Sequence, residues 1–320
     1  MILGKLANQK MLKIGFIGAG TVGSALALQL AKNGYHITAV SSRSTLSAER
    51  LSKAIPGCKA VTTNQAVAGS TDLIFITTPD DVIGTIATEL KWRPGQSVVH
   101  CSGADSTAIL EPARKSGAAV GGFHPLQTFA GVQRALENIP GSTFAIEAEE
   151  PLLSILRKMA SSLDSHSIQL KVEDKAIYHA SAVMISNYLV TLVKMATDLW
   201  ETMGISKEEA TRALLPLLKG TVNNVETIGL PGCLTGPIAR GDLGTIKKHL
   251  ESLKKAAPEL LPVYRELARQ TIPVALAKGK INEHQAETLK SVLGKEPVRQ
   301  AQDKSVRQPF ASAQDRLSRV

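Results

Sequence analysis

In Lys13-Ile14-Gly15-Phe16-Ile17-Gly18-Ala19-Gly20-Thr21-Val22-Gly23, a short apolar run turns directly into a spaced glycine pattern, and an amphipathic stretch, Thr21–Asn33, follows at once. The run Lys13–Ile17 reads as a strand and the stretch after it as a helix. Strand, G-x-G-x-x-G and helix in that order form the dinucleotide-binding βα turn. Gly18 permits the tight turn. Gly20 lets the backbone approach a pyrophosphate, and Gly23 lets helix and strand pack closely. The helix N-terminus, with Ala19, Thr21 and Val22 around it, offers free N–H groups and a positive dipole end to phosphate. The plain alternative is a glycine-rich turn with no ligand.

Outward from this turn, apolar runs alternate with helical patterns as far as about Leu170. Strands are expected at Ile37–Val40, Leu73–Thr77, Ser97–Cys101, Ala119–Phe123, Phe144–Glu147 and Ser167–Leu170. Helices are expected at Ser47–Ala54, Ile83–Leu90, Thr107–Ser116 and Glu150–Leu163. Such alternation predicts an α/β Rossmann domain, a mostly parallel doubly wound sheet. Strand signals then stop. Asp174–Met203 reads as one long helix, capped by Asp174 and ended by Gly204, and helical patterns follow at Ser206–Gly220, Asp242–Ala256, Pro258–Ala277 and Asn282–Leu293. The expected organisation is a Rossmann domain over 11–171, an all-α C-terminal domain over 172–294 and a disordered tail over 295–320. Residues 1–10 read either as a frayed extension or as sequence upstream of a start at Met11.

Composition narrows the classes. The chain has 320 residues, of which 43% are hydrophobic and 20% charged, which suits two globular domains. Three of its nine net positive charges lie in the tail, and aromatics are only 4%. A nucleic-acid binder would concentrate charge and stacking rings on one face, so that class is set aside. Three scattered cysteines, Cys58, Cys101 and Cys233, fit neither a disulfide framework nor a metal site and point to a reducing, cytoplasmic setting. Lys5, Lys10 and Lys13 before an apolar run mimic a secretory signal, but the glycines and Gln29 interrupt it. No run of 18 uninterrupted apolar residues occurs, so no membrane span is expected.

The candidate site residues cluster at expected strand ends. NAD-specific sites carry an acid after the second strand. Here Ser42-Arg43-Ser44 stands instead, where an arginine and flanking hydroxyls suit the 2′-phosphate of NADP(H); otherwise Arg43 is a solvated loop residue. Thr78-Pro79 and Ser102 follow further strands and would line the same crevice. His124, in Phe123-His124-Pro125, is an acid, base or substrate anchor, or a structural histidine bonded to its loop. On the long helix, Lys175, His179, Val183, Ser186 and Asn187 share one stripe. Its polar members meet either a buried network or a substrate. Thr235 and Arg240 lie in Leu234-Thr235-Gly236-Pro237-Ile238-Ala239-Arg240-Gly241-Asp242, where Arg240 clamps a carboxylate or pairs with an acid such as Asp242.

Together, the glycine pattern, Ser41-Ser42-Arg43-Ser44, Phe123–Phe129, Tyr178–Val190 and Leu234–Asp242 resemble a family of Rossmann-like NADP-binding proteins with a C-terminal helical domain of unknown function. The resemblance covers roughly residues 11–290. It extends to ketopantoate reductase, pyrroline-5-carboxylate reductase and hydroxyacid dehydrogenases with a helical domain like that of 6-phosphogluconate dehydrogenase. It implies an interdomain substrate cleft and homodimers formed through the helical domains. It also implies His179 at the relatives' lysine position, Asn187 at their asparagine, and Lys175 a turn earlier. His124-Pro125 is similar to a motif of prephenate and arogenate dehydrogenases. The expected activity is NADP(H)-dependent reduction of a small 2-oxo or imino acid. The proton donor is left open among His179, Lys175 and His124. The alternatives are a non-catalytic NADP-binding regulator and a prephenate-like dehydrogenase.

Overall fold

The computed structural model describes residues 12–294; the expectations for residues 1–11 and for the tail 295–320 lie outside these. Eight strands form one sheet: β1 Ile14–Ile17, β2 Ile37–Ser41, β3 Lys59–Ala60, β4 Leu73–Ile76, β5 Ser97–His100, β6 Ala119–Leu126, β7 Thr143–Ala148 and β8 His166–Gln169. Their order is β3-β2-β1-β4-β5-β6-β7-β8. All neighbours are parallel except β6 and β7. β1, β4 and β5 are nearly continuous buried runs, as a sheet covered on both faces requires. One face packs Phe16, Leu26, Phe75 and Leu156 into a core, and the other packs Val67, Ile74, Ile83 and Leu110. The short edge strand β3 and the helices Asn64–Ser70 and Val132–Asn138 carry too little periodic signal to be read from sequence.

β6 is the strand that shapes the site. Its residue Gly122 pairs with His100, the last residue of β5, so β6 runs four residues past its neighbour. β7 supports that extension by pairing antiparallel along Gly121–Leu126. His124 therefore stands beyond the carboxyl end of the parallel strands while still held in a ladder.

The chain divides into two compact units between Leu189 and Val190. The expected single helix Asp174–Met203 is two helices, Lys175–Ile185 and Asn187–Glu201, broken at Ser186 (φ −104°, ψ −70°). Ser186 and Asn187 are adjacent short polar residues that compete with helical backbone hydrogen bonds, a local preference that the apolar periodicity around them hides. Asp174 takes the cap position but makes no capping side-chain bond. By length and composition alone, Val172–Glu201 is apolar enough to cross a membrane, although it contains no run of 18 uninterrupted apolar residues. Its first turn, however, sends Lys175 into a buried polar cluster. The second unit has its own core of Ile238, Ile246, Ile272, Leu289 and Leu293. Ser206, Asp242 and Asn282 cap its helices Lys207–Ile228, Leu243–Ala256 and Glu283–Leu293, and Leu261–Ala277 completes the set.

Candidate active site

The glycine turn is built as a cradle. Gly18 has φ +111°, and a Cβ there would meet the Thr77 backbone at 2.8 Å. A Cβ on Gly23 would stand 2.3 Å from Thr77 Oγ1 and 2.4 Å from the Gly18 carbonyl. Thr77 Oγ1 donates to that same carbonyl at 2.8 Å, so β1, β4 and the helix Thr21–Lys32 are clamped at one point. Gly20 differs: a Cβ there meets nothing within 4 Å. It is the N-cap of the helix, and no side chain caps the helix end. Ala19 is buried, Gly20 is exposed, and Thr21 and Val22 are half-buried. The first-turn N–H groups thus lie beside open space, the setting in which helix N-termini take up phosphate groups.

At the end of β2, Ser42 is half-buried, and Arg43 and Ser44 are exposed. Ser44 caps the helix Thr45–Ala54 by accepting from Ser47 N at 3.3 Å, which fixes the loop and leaves the Arg43 side chain in solvent. Ser41 is buried and donates to Asn64 Oδ1 at 2.8 Å. The strand end carries no acid that would repel a 2′-phosphate. Thr78 is half-buried and Pro79 exposed at the end of β4.

Beyond the end of β5 and around the extension of β6 lies a dense polar cluster within the first unit. The buried Ser102 hydroxyl accepts from the N–H groups of Ala104 and Asp105 at 3.2 and 3.0 Å and lies 2.8 Å from Asp80 Oδ2 and 3.1 Å from Asp105 Oδ2. His100 Nδ1 accepts from Ser102 N at 3.2 Å. A neutral ring then carries its proton on Nε2. Burial, with Lys175 and His124 adding to it, pushes His100 down to about 3. His124 Nδ1 lies 2.8 Å from the Tyr178 hydroxyl, and burial, helped by Lys175 and His179, pushes it also to about 3. The His124 and His179 rings meet edge to face at 5.9 Å. Gly103 makes this contact possible, since a Cβ there would stand 2.4 Å from His179 Nδ1 and 2.8 Å from His124 Nε2.

Lys175, His124 and His179 therefore come together, with Lys175 1% exposed and the histidines half-buried. Asn187 does not share their setting: it is exposed and follows the break at Ser186. In the second unit, Thr235 and Arg240 are both exposed, and Asp242 caps its helix through Thr245 N at 3.0 Å. Sequence reading missed Glu147, Thr107 and Gly103. Glu147 became legible only through the antiparallel register of β7, although two consecutive glycines in a strand, Gly121-Gly122, signal a close approach. No group of three or more metal-ligating side chains occurs among the described residues.

Residues 4–125 match a Rossmann-like domain and residues 142–271 a domain of unknown function, DUF2520. The chain is similar to a solved structure described as a candidate NADP oxidoreductase from Bacteroides fragilis, at 25% identity and TM-score 0.66, covering 83% of this chain and 100% of that one. The fold is shared with pyrroline carboxylate reductase from Plasmodium falciparum, solved with NADP bound, at 17% identity and TM-score 0.57, over 89% and 99% of the two chains. A curated relative, 2-(hydroxymethyl)glutarate dehydrogenase of Eubacterium barkeri, is 28% identical over 197 residues, 59% of this chain and 62% of its own length.

Proposed function

We propose that this chain, a Rossmann-like domain followed by a DUF2520 domain, is an NADP(H)-dependent reductase of a small 2-oxo or imino acid. The observation that carries the reading is the position of the cluster. Lys175, His124, Tyr178 and His179 gather beyond the carboxyl end of β5, around the extension of β6, on the same sheet edge as the glycine cradle. In doubly wound sheets, ligands lie at that edge.

Gly20 and the first turn of the helix Thr21–Lys32 would hold the pyrophosphate. Ser42, Arg43 and Ser44 would hold the 2′-phosphate, and Thr78, Pro79 and Ser102 would border the dinucleotide. When bound, the nicotinamide supplies a hydride. The side chains supply the rest. A proton must reach the substrate heteroatom, and Lys175 and His179 are the donors on the helix Lys175–Ile185. His124, held neutral, is suited to accept or donate a hydrogen bond rather than to carry charge. Asn187 would orient the heteroatom, and Thr235 and Arg240 are the groups proposed for the carboxylate. Exposed apolar side chains on the helices Lys175–Ile185 and Lys207–Ile228, among them Ile185 at 74% and Leu217 at 68%, support a homodimer.

The test is NADPH oxidation against a panel of 2-oxo acids and cyclic imino acids, with NADH as control. Turnover with NADPH on a small carboxylate-bearing substrate is expected. Tight NADPH binding without turnover on any of them would favour a non-catalytic NADP-binding regulator. Turnover confined to cyclohexadiene acids would favour the prephenate-like reading through His124.

A further inference from the structure

Three neighbouring residues lie in one row across the sheet. His100 on β5 pairs with Gly122 on β6, and Gly122 pairs with Glu147 on β7. Paired residues in a sheet project to the same face, so His100 and Glu147 flank a position that has no side chain. Lys175 fills it from above. A Cβ on Gly122 would stand 3.3 Å from Lys175 Nζ and 3.6 Å from both the His100 ring and Glu147 Cβ. All three side chains are buried, His100 at 0% exposure, Lys175 at 1% and Glu147 at 5%.

The row leaves three polar atoms without a hydrogen-bond partner: His100 Nε2, Glu147 Oε2 and Lys175 Nζ. Two are donors and one is an acceptor. The other carboxylate oxygen of Glu147 is firmly fixed, accepting from Thr107 N at 2.8 Å and from Thr107 Oγ1 at 2.6 Å. Thr107 thus turns one edge of the carboxylate away and leaves the other for the lysine. Orphaned buried polar atoms are costly, about 1–3 kcal/mol each. Purely structural packing would have filled this row with apolar side chains.

We infer that Glu147 is a positioning residue for Lys175: anchored by Thr107, it holds the lysine ammonium by charge, without a direct hydrogen bond, in the gap over Gly122 beside His100. Where it concerns turnover, the inference rests on the reductase reading, in which this ammonium stocks the site with protons. Glu147 touches no substrate and acts only through Lys175. Burial lowers the Lys175 pKa, and the largest opposing influence is Glu147, ahead of Cys101, Asp105 and Asp80. The remaining titratable groups facing it are His100 and His124, both neutral near pH 7, with Tyr178 and His179 on its own helix. Removing the Glu147 charge leaves desolvation with less to oppose it.

The experiment titrates the full-length protein with ¹³Cε-labelled lysine by NMR, with no substrate present. The resonance missing from Lys175→Met identifies the group. In Glu147→Gln, proton binding at Lys175 is expected to weaken at least tenfold, and Glu147→Asp should recover part of the loss. Thr107→Val keeps the carboxylate but loosens it, so it should give a smaller shift in the same direction; it also serves if Glu147→Gln fails to fold. An unchanged midpoint in Glu147→Gln, or in Thr107→Val should that be the only folded variant, would overturn the inference, as would equal effects of Gln and Asp. These outcomes leave the reductase reading untouched, because they are read without turnover. Failure of every substrate in the NADPH assay would sink the reductase reading and leave the Glu147–Lys175 pairing standing. If both hold, the basic limb of the kcat profile should move to lower pH in Glu147→Gln.

Discussion

At the scale of single residues, Arg43 bears on cofactor choice and the histidines His100 and His124 on pH response. Arg43 is exposed beside a helix cap and makes no bond that the fold depends on. Arg43→Ala should therefore leave the melting temperature unchanged. It should weaken NADPH by about 1.5–3 kcal/mol, the range for hydrogen bonds to charged groups, and leave NADH nearly unaffected. Fluorescence titration with both cofactors checks this, and equal losses for the two would place Arg43 outside the 2′-phosphate site. The histidines give a stability prediction. His100 and His124 are held to about 3 in the folded chain, against 6.5 for the free side chain. Between those values the unfolded chain binds more protons than the folded one. Stability is then fully present above about pH 6.5 and is lost as pH falls toward 3, by up to about 1.4 kcal/mol per pH unit for each histidine. Urea midpoints measured from pH 7.5 down to 4.5 should fall, and His124→Gln should flatten part of the slope. A wild-type midpoint constant over that range would mean that neither ring is buried neutral.

At the scale of elements, the glycine turn separates folding from binding. Gly20 has φ −75° and open space where a Cβ would go, so Gly20→Ala should fold with an unchanged melting temperature. It should nonetheless lose at least tenfold in NADPH affinity, about 1.4 kcal/mol, because the methyl group enters the space meant for pyrophosphate. Gly23→Ala meets backbone and a clamped threonine instead, and overpacking of that kind costs about 1–3 kcal/mol of stability. Calorimetry and cofactor titration on the pair would expose a turn with no ligand: Gly20→Ala would then bind as well as wild type. The helix Lys175–Ile185 allows a similar separation. His179 Nδ1 has no hydrogen-bond partner, so His179→Ala orphans nothing through that atom and should barely change the melting temperature. Turnover should drop by about 10²–10⁴ if His179 is the acid–base group. Strong destabilisation with activity tracking unfolding would assign the histidine to structure. The glycine turn was readable because its strand, glycine spacing and helix are adjacent in sequence, although the neighbour that requires Gly18 and Gly23 is the distant Thr77. The cluster was only half readable. Lys175, His124 and His179 are visible as polar residues in apolar settings, but Glu147 comes to flank the same gap over Gly122 through strand pairing, which no local pattern encodes.

For the whole molecule, the difficulty is the apolar surface that a single chain leaves exposed. Ile177, Met184, Ile185, Tyr188 and Val190 are 58–74% exposed on the helices Lys175–Ile185 and Asn187–Glu201. Leu217, Val222 and Ile228 are 56–68% exposed on Lys207–Ile228. Monomeric proteins rarely leave this many large apolar side chains of one helix in water. The same composition makes Val172–Glu201 resemble a membrane span, yet its first residues anchor to the sheet through Lys175, so one face of this segment is committed to protein. Burying the rest against a second copy removes the apolar cost without a bilayer, at about 25 cal/mol per Å² covered. Sedimentation equilibrium should therefore give a dimer. Ile228→Glu places a charge where a partner would bury it, while in the isolated chain it only replaces one exposed side chain by another. It should shift the protein toward monomer with its first unit intact, as judged by unchanged NADPH affinity. Dimers that survive both Ile228→Glu and Leu217→Glu would show that the contact lies elsewhere. A wild-type protein that sediments as a monomer without detergent would remove the dimer from the proposal altogether.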